Sequence, residues 1–389
     1  MKVITVAFNR FHIYDQAKEL NKHDLLYKLI TNYPKYRSRY FDINDSKVIS
    51  LPLTGLLNYL RISYLQNNKI NNKLIELLHN KFSKNVVNIL DVNADIIIFL
   101  SSVGLEGIKF CKKNNIISIA DHGSAYQEYE KSILIEENSK FDLSEYSNIK
   151  SWIIEKEAKE FKNADFIFLG SNYAKETFLK YGYPEDKLIV NNYGVNLSNF
   201  RKIDKNDNMF RIIIVGGINL RKGIHYLLKA FNELNLNNSE LWVIGGGYPN
   251  KEMEKVFKKM NINFNNIYFK GTFPQNELYK YYSQCSIFCL PSLSDGFGMV
   301  VPQAMACGLP VILSENTGAK DIVKEGYNGY IVPIRDVKAI KEKILYLYNN
   351  PIQLKQMQNN ALKSVKKGLS WDDYGSRLVE NLKMIKASK

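Results

Sequence analysis

Two segments of this sequence gather glycines, cations and a carboxylate at spacings that suit a phosphorylated ligand. The first, FRIIIVGGINLRKGIHYLLKAF, places Gly216 and Gly217 after a continuous apolar run, then Arg221, Lys222 and Gly223, then a helical pattern. Glycine lets backbone approach a ligand closely, and two cations beside it suit a diphosphate. The spacing of a Walker loop is absent, and a solvated basic turn remains the competing reading of this segment alone. The second, SIFCLPSLSDGFGMVVPQAMACGLPVILSENTGAKDIV, carries Asp295, Gly296, Phe297 and Gly298 just before a helix expected from Met299 to Gly308. The first N–H groups of such a helix and its positive dipole end favour phosphate oxygens. Asp295 can accept hydrogen bonds from hydroxyls, and Gln303, about one turn inside, can bond further hydroxyls on the same side.

Loops of this kind need strands behind them. Short β-rich runs alternate with longer amphipathic segments, the pattern of parallel α/β sheets. In the first half, strands are expected at 2–7, 47–51, 95–100, 116–120, 165–169 and 187–190, with helical periodicity between them, as over 148–161. The polar stretch 197–209 has no apolar period and reads as a linker. The alternation then restarts, with strands expected at 210–215, 240–244, 266–269, 286–290, 310–313 and 329–332. Ile224, Leu227, Leu228, Phe231 and Leu234 share one face of the helix after the first glycine loop. The reading is an α/β chain of two doubly wound parallel-sheet domains, 1–200 and 206–370, followed by a terminal amphipathic helix over 371–389. In open α/β sheets ligands bind at the carboxyl ends of the strands, where both glycine loops fall.

A net charge of +14 favours anionic partners. Zinc-finger spacing, an aromatic RNP strand and an extended basic helix are all absent, so no nucleic-acid partner is expected. A phosphorylated small molecule and a membrane surface rank above it. The chain has four cysteines; Cys285 and Cys289 are four apart, without the neighbours that would complete a zinc site. All four read as buried small hydrophobes. The start, MKVITVAFNR, is too short an apolar run for a signal peptide, and no stretch approaches the roughly 18 apolar residues of a spanning helix. A cytoplasmic protein is expected, with peripheral contact at the inner face of the membrane.

The segment DGFGMVVPQAMACGLPV resembles the signature of retaining glycosyltransferase family 4, the glycosyl transferases group 1: an acid, Gly-Phe-Gly, four residues, a Glu, then Ala-Met-Ala-x-Gly-x-Pro-Val. GINLRKGIHYLLKAF, LGSNYAKETF, NNYGVNLSNF, NTGAKDIVKEGYNGYIV and the terminal LSWDDY resemble other parts of that family. The resemblance implies the GT-B architecture, two Rossmann-like domains facing a cleft, with the terminal helix crossing back to the first domain. It implies a nucleotide-sugar donor, Asp295 on the donor sugar, Gln303 on the ribose, and Lys222 with Arg221 on the diphosphate. Gly296, Phe297, Gly298 and Met299 complete the donor loop. Two departures stand out: Asp295 is one methylene shorter than the family's Glu, and Gln303 lacks the charge of the second. The family often has an Arg where this chain has Gly217, and its usual N-terminal Gly-Gly loop is replaced by FNRFHIYDQAKEL.

His122, in IISIADHGSAY, follows an expected strand at the sheet's carboxyl edge, where the resemblance implies a His beside the donor sugar; Asp121 is a weaker candidate. No Asp-x-Asp occurs, so no metal and no other cofactor is expected, the cations neutralising the leaving group instead. The resemblance also implies retention of anomeric configuration. The acceptor is expected to be a glycan or a lipid-linked glycan. Residues 55–90, rich in Leu, Tyr, Asn and Lys, suit a basic, aromatic surface against anionic lipid, although ordinary helices with solvated lysines fit as well. The two altered acids keep open a second class, a catalytically weakened subunit supporting an active partner. A third, an NAD-dependent oxidoreductase, lacks its glycine fingerprint in AFNRFH.

Overall fold

A computed structural model describes residues 1–64, 68–143, 150–246 and 248–389, with the side chains at 68 and 69 left aside. In the first half, strands β1 (Val3–Ala7), β2 (Leu26–Thr31), β3 (Val48–Ser50), β4 (Ile96–Leu100), β5 (Ile117–His122), β6 (Phe166–Leu169) and β7 (Leu188–Val190) form one sheet. Its order is β3-β2-β1-β4-β5-β6-β7, every pairing parallel. Helices α1 (Ile13–Lys22), α2 (Pro52–Tyr64), α3 (Asn68–Val87), α4 (Leu105–Lys113), α5 (Gln127–Lys140), α6 (Ser151–Asn163) and α7 (Asn172–Lys180) connect these strands. In the second half, β8 (Phe210–Val215), β9 (Ser239–Ile244), β10 (Ile267–Gly271), β11 (Ile287–Leu290), β12 (Val311–Ser314) and β13 (Gly329–Val332) form a second parallel sheet, ordered β10-β9-β8-β11-β12-β13. Its helices are α8 (Ile224–Leu234), α9 (Lys251–Lys259), α10 (Leu278–Ser283), α11 (Val300–Ala306), α12 (Val337–Asn349) and α13 (Pro351–Val365), and the chain closes with α14 (Trp371–Ala387).

β1, β4, β8 and β11 are buried along their whole length, which is why they read as mainly apolar runs; the buried Arg211 of β8 is paired with Asp207 and Glu240. Each sheet reverses its strand order once, between β1 and β4 and between β8 and β11. The loops leaving those four strands diverge there and open a crevice. They are the segments after Ala7, Leu100, Val215 and Leu290, and the two glycine loops are the latter pair.

One strand escapes the sequence reading. β2 runs LYKLIT, where Lys28 interrupts the apolar pattern, yet it pairs with both β1 and β3. The half-exposed Lys28 leans outward and donates to the carbonyl of Ser46 at 2.9 Å. The helix expected over 148–161 begins outside the described residues; from Ser151 it is α6.

α14 lies against the layers of the first sheet. Gln16 on α1 donates to the Tyr374 hydroxyl at 3.0 Å, and Lys386 pairs with Asp95 at 2.8 Å. A capping box between Ser370 and Asp373 sets the start of the helix, and Arg377 donates to the carbonyl of Asn192 at 2.8 Å. A second tie between the halves is buried. Glu137 on α5 accepts from His225 at 2.9 Å and Tyr226 at 2.6 Å, both on α8, and from Arg335 at 2.6 Å. α8 therefore buries His225 and Tyr226 as well as its expected apolar face. All four cysteines are buried and free, and no helix among the described residues is long and apolar enough to cross a membrane.

Candidate functional site

A cavity of about 880 Å³ lies between the carboxyl edges of the two sheets. Arg221, Lys222, Asp295, Gly296, Phe297, Gly298 and Met299 line one side, and His122 lines the other. Gln303 is not among the lining residues; it sits one turn into α11, 4% exposed.

Local geometry explains how the two cations are presented. Asn219 caps a short 3-10 turn over Leu220–Lys222, its side chain accepting from the Lys222 amide at 3.1 Å. Gly223 ends the turn at φ +63, and a Cβ there would fall 1.8 Å from the Pro291 carbonyl oxygen. Only glycine lets the β8 loop sit this close to the β11 loop. Lys222 is thereby brought into an ion pair with Asp295, their side chains 13% and 11% exposed. Burial alone would raise the Asp295 pKa, but Lys222, Arg221 and the Phe297 amide outweigh it and hold the carboxyl below its ordinary range. Arg221 donates to the Ser294 carbonyl at 3.0 Å and lies 3.9 Å from Glu130 on α5. The start of α11 has no side-chain cap.

The halves touch at the β11 loop itself. A Cβ on Gly296 would lie 2.4 Å from Ser124 Cα, so the turn after His122 rests on bare backbone, and Ser171 donates to the Gly296 carbonyl at 2.5 Å. His122 is 2% exposed at the end of β5. Its Nε2 lies 3.1 Å from the Ala125 carbonyl, which can only accept, so Nε2 carries the proton. Nδ1 then accepts from the Ser101 hydroxyl at 2.9 Å. Burial pushes its pKa down to about 4, so the ring is neutral near pH 7. Asp121 faces away from this pair, held by His12 and Gln16, each at 2.6 Å.

Several lining residues were not singled out from sequence. Arg10 and His12 come from the β1 loop, the switch-point position that could have flagged them. Glu157 comes from α6, facing the cavity, and Glu130, behind the lining, lies 3.9 Å from Arg221 and accepts from Ser294 at 3.0 Å; no sequence signal marks either. Burial and the charge of Glu160 push Glu157 up to about 8, so it is protonated at neutral pH. A carboxyl raised in the folded state contributes stability at low pH and loses it as pH rises from its ordinary value of 4.5 through 8. An amide does not titrate. The unfolding midpoint of Glu157→Gln, measured against wild type, should therefore improve steadily between about pH 5 and about pH 8. A difference that stays constant across that range would show Glu157 already ionised in the fold.

Residues 196–364 match the family model of glycosyl transferases group 1, which places the resemblance on the second sheet. An uncharacterized glycosyltransferase of Methanocaldococcus jannaschii is 31% identical over 54% of this chain and 57% of its own length. The capsular polysaccharide biosynthesis glycosyltransferase CapM of Staphylococcus aureus is 34% identical over 44% of this chain and 46% of its own. This chain thus spans about half the length of these relatives. Among solved structures, HepE of Anabaena in complex with UDP superposes with a TM-score of 0.70 at 14% identity, covering 99% of this chain and all of that one. The fold is GT-B.

Proposed function

We propose that this chain is a glycosyltransferase that moves a sugar from a nucleoside-diphosphate donor to a glycan or lipid-linked glycan acceptor. The observation that carries the reading is the buried Lys222–Asp295 pair, with Arg221 beside it, facing His122 across the cavity. In this reading a bound diphosphate draws Lys222 and Arg221 toward its oxygens. That releases the Asp295 carboxylate to accept hydrogen bonds from the donor sugar. The backbone at Gly298, in the left-handed region at φ +84, and at Met299 approaches the same phosphates. His122, neutral and with both ring nitrogens held by Ser101 and Ala125, borders the sugar side of the cavity as a fixed, uncharged wall. Transfer with retention, attack coming on the leaving-group face, rests on the resemblance in the donor loop.

Gln303 is proposed to bond the ribose, which requires the nucleoside to extend past the cavity lining toward α11. The likeness to CapM favours a cell-surface polysaccharide product, and the lipid-linked acceptor brings peripheral contact at the inner membrane face. An ionised Asp295 held beside two cations favours an active enzyme over a weakened subunit.

A thermal-shift panel of UDP-, GDP- and ADP-sugars tests the reading. A true donor should stabilise by about 2.7 kcal/mol at a hundredfold excess over its dissociation constant. No shift with any of them, together with no hydrolysis or transfer, would overturn it. The cations replace a metal in this mechanism, so turnover should persist in excess EDTA. Activity lost to the chelator and restored by magnesium or manganese would refute that part.

A further inference from the structure

His12 pairs with a carboxylate through one ring nitrogen and leaves the other open. Its Nε2 lies 2.6 Å from Asp121 Oδ1, while Asp121 Oδ2 accepts from Gln16 at 2.6 Å. A carboxylate only accepts, so Nε2 carries the proton and Nδ1 keeps its lone pair. Nδ1 meets no hydrogen-bond partner among the described residues. A Cβ on Gly123 would lie 3.3 Å from His12 Cε1 and 3.6 Å from Nδ1, so that edge of the ring is flanked by a residue without a side chain. Tyr193 stacks on the ring, centroids 4.3 Å apart, with its hydroxyl 3.3 Å from Nε2. The side chain is 7% exposed and lines the cavity.

The place of His12 gives this nitrogen a use. Lys222, Arg221 and Asp295 line the cavity from the second sheet, and the β1 loop lines it from the first. His12 stands where the two sides meet. Gly123 leads into Ser124, on whose Cα Gly296 rests, and the Tyr193 ring meets Phe297 edge-on at 5.4 Å. The competing reading is structural, since His12, Asp121, Gln16 and Tyr374 form a chain that ties α14 to the first sheet. That chain uses only Nε2 and does not account for an open nitrogen at the cavity wall.

We propose that His12 is the catalytic residue that takes the proton of the acceptor hydroxyl at Nδ1, with Asp121 as the positioning residue behind it. The assignment rests on the transferase reading and adds the acceptor's half of the reaction. As the acceptor oxygen bonds to the anomeric carbon, the bond from that carbon to the diphosphate breaks, and its electron pair leaves with the diphosphate. The hydroxyl proton moves to Nδ1, and the imidazolium then returns it to water. Asp121 holds the ring in the reactive tautomer and stabilises the cation that forms. The step concerns only the incoming hydroxyl, so it serves attack on either face of the sugar.

The test reads nucleoside diphosphate released from UDP-glucose, GDP-mannose and ADP-glucose, with water as the acceptor, beside thermal shifts with the same donors. His12→Gln keeps a hydrogen-bond donor toward Asp121 but has no basic nitrogen. It should lower release roughly 100-fold, with the unfolding midpoint and the donor-induced shift unchanged. Diethyl pyrocarbonate, which reacts at the lone pair of a neutral imidazole, supplies a readout without turnover. Wild type should be labelled at His12 as well as at the exposed His23. Asp121→Asn moves the proton to Nδ1 and should slow labelling at His12 together with release. Unchanged release from His12→Gln, or His12 left unlabelled once His23 has reacted, overturns the assignment while the donor shifts keep the transferase reading intact. A lowered midpoint with an undiminished rate below it makes His12 part of the structural chain alone and also overturns it. Wild type that neither shifts with nor cleaves any donor fails the transferase reading, and this assignment falls with it. Release lost at an unchanged midpoint and donor shift, with His12 labelled in wild type, supports it.

Discussion

Lys222→Ala should lower turnover by about 100-fold, the equivalent of about 2.7 kcal/mol for one preorganised electrostatic contact. The residue stands where a strand ends and a helix starts, inside the cavity, and its ammonium meets Asp295. In the proposed mechanism the same ammonium meets the leaving diphosphate, whose charge grows as the glycosidic bond breaks. Affinity for the nucleoside diphosphate should fall along with turnover. Because the pair is largely buried, truncation also leaves Asp295 with less compensation, and some stability is lost. Arg221 limits that loss, since it too holds the Asp295 carboxyl down. Calorimetry well below the unfolding midpoint separates the two effects. Lys222→Arg should restore part of the affinity, whereas a purely structural role would show as a lowered midpoint with unchanged affinity. If affinity and turnover both survive truncation, Lys222 does not hold the donor.

Gly223→Ala should cost about 3 kcal/mol or more, because a left-handed backbone and a steric overlap with the Pro291 carbonyl act together. The expected fall in unfolding midpoint is roughly 6 °C or more. Gly182 supplies the comparison: its φ is +80, but a Cβ there meets nothing within 4 Å. Gly182→Ala should therefore cost about 1 kcal/mol, the conformational part alone. Nucleoside-diphosphate affinity should drop only in the Gly223 variant, since relieving the overlap separates Lys222 from Asp295. Equal midpoints for the two variants would mean that the contact between the β8 and β11 loops is not what positions the cation.

Much of this architecture was legible in the chain. The alternation of buried strands and amphipathic helices marked twelve of the thirteen described strands. Buried parallel strands announce themselves because both faces must be apolar. β2 was missed because Lys28 escapes to solvent at 2.9 Å from Ser46, a route that no local pattern reveals. The glycine loops after β8 and β11 were equally visible, since glycine at 223, 296 and 298 is dictated by backbone approach and positive φ, and such demands act on residue type directly.

Other features belong to tertiary structure. Lys222 and Asp295 are 73 residues apart in sequence, and that they neutralise each other depends on β8 and β11 being neighbours. Glu130, Glu157 and the Glu137–His225–Arg335 tie carry no spacing signal, because burial and long-range partners give them their chemistry. The same holds for α2. Its sequence left open whether the leucines are exposed, and the seat of Gly55 on the Asn32 carbonyl goes with an apolar side that faces outward. Sequence determined which segments become strands and where backbone must be bare, because those are local steric requirements. Sheet order and packing decided which charges meet and which faces stay wet, because Coulomb and burial energies depend on distances that only the folded chain sets.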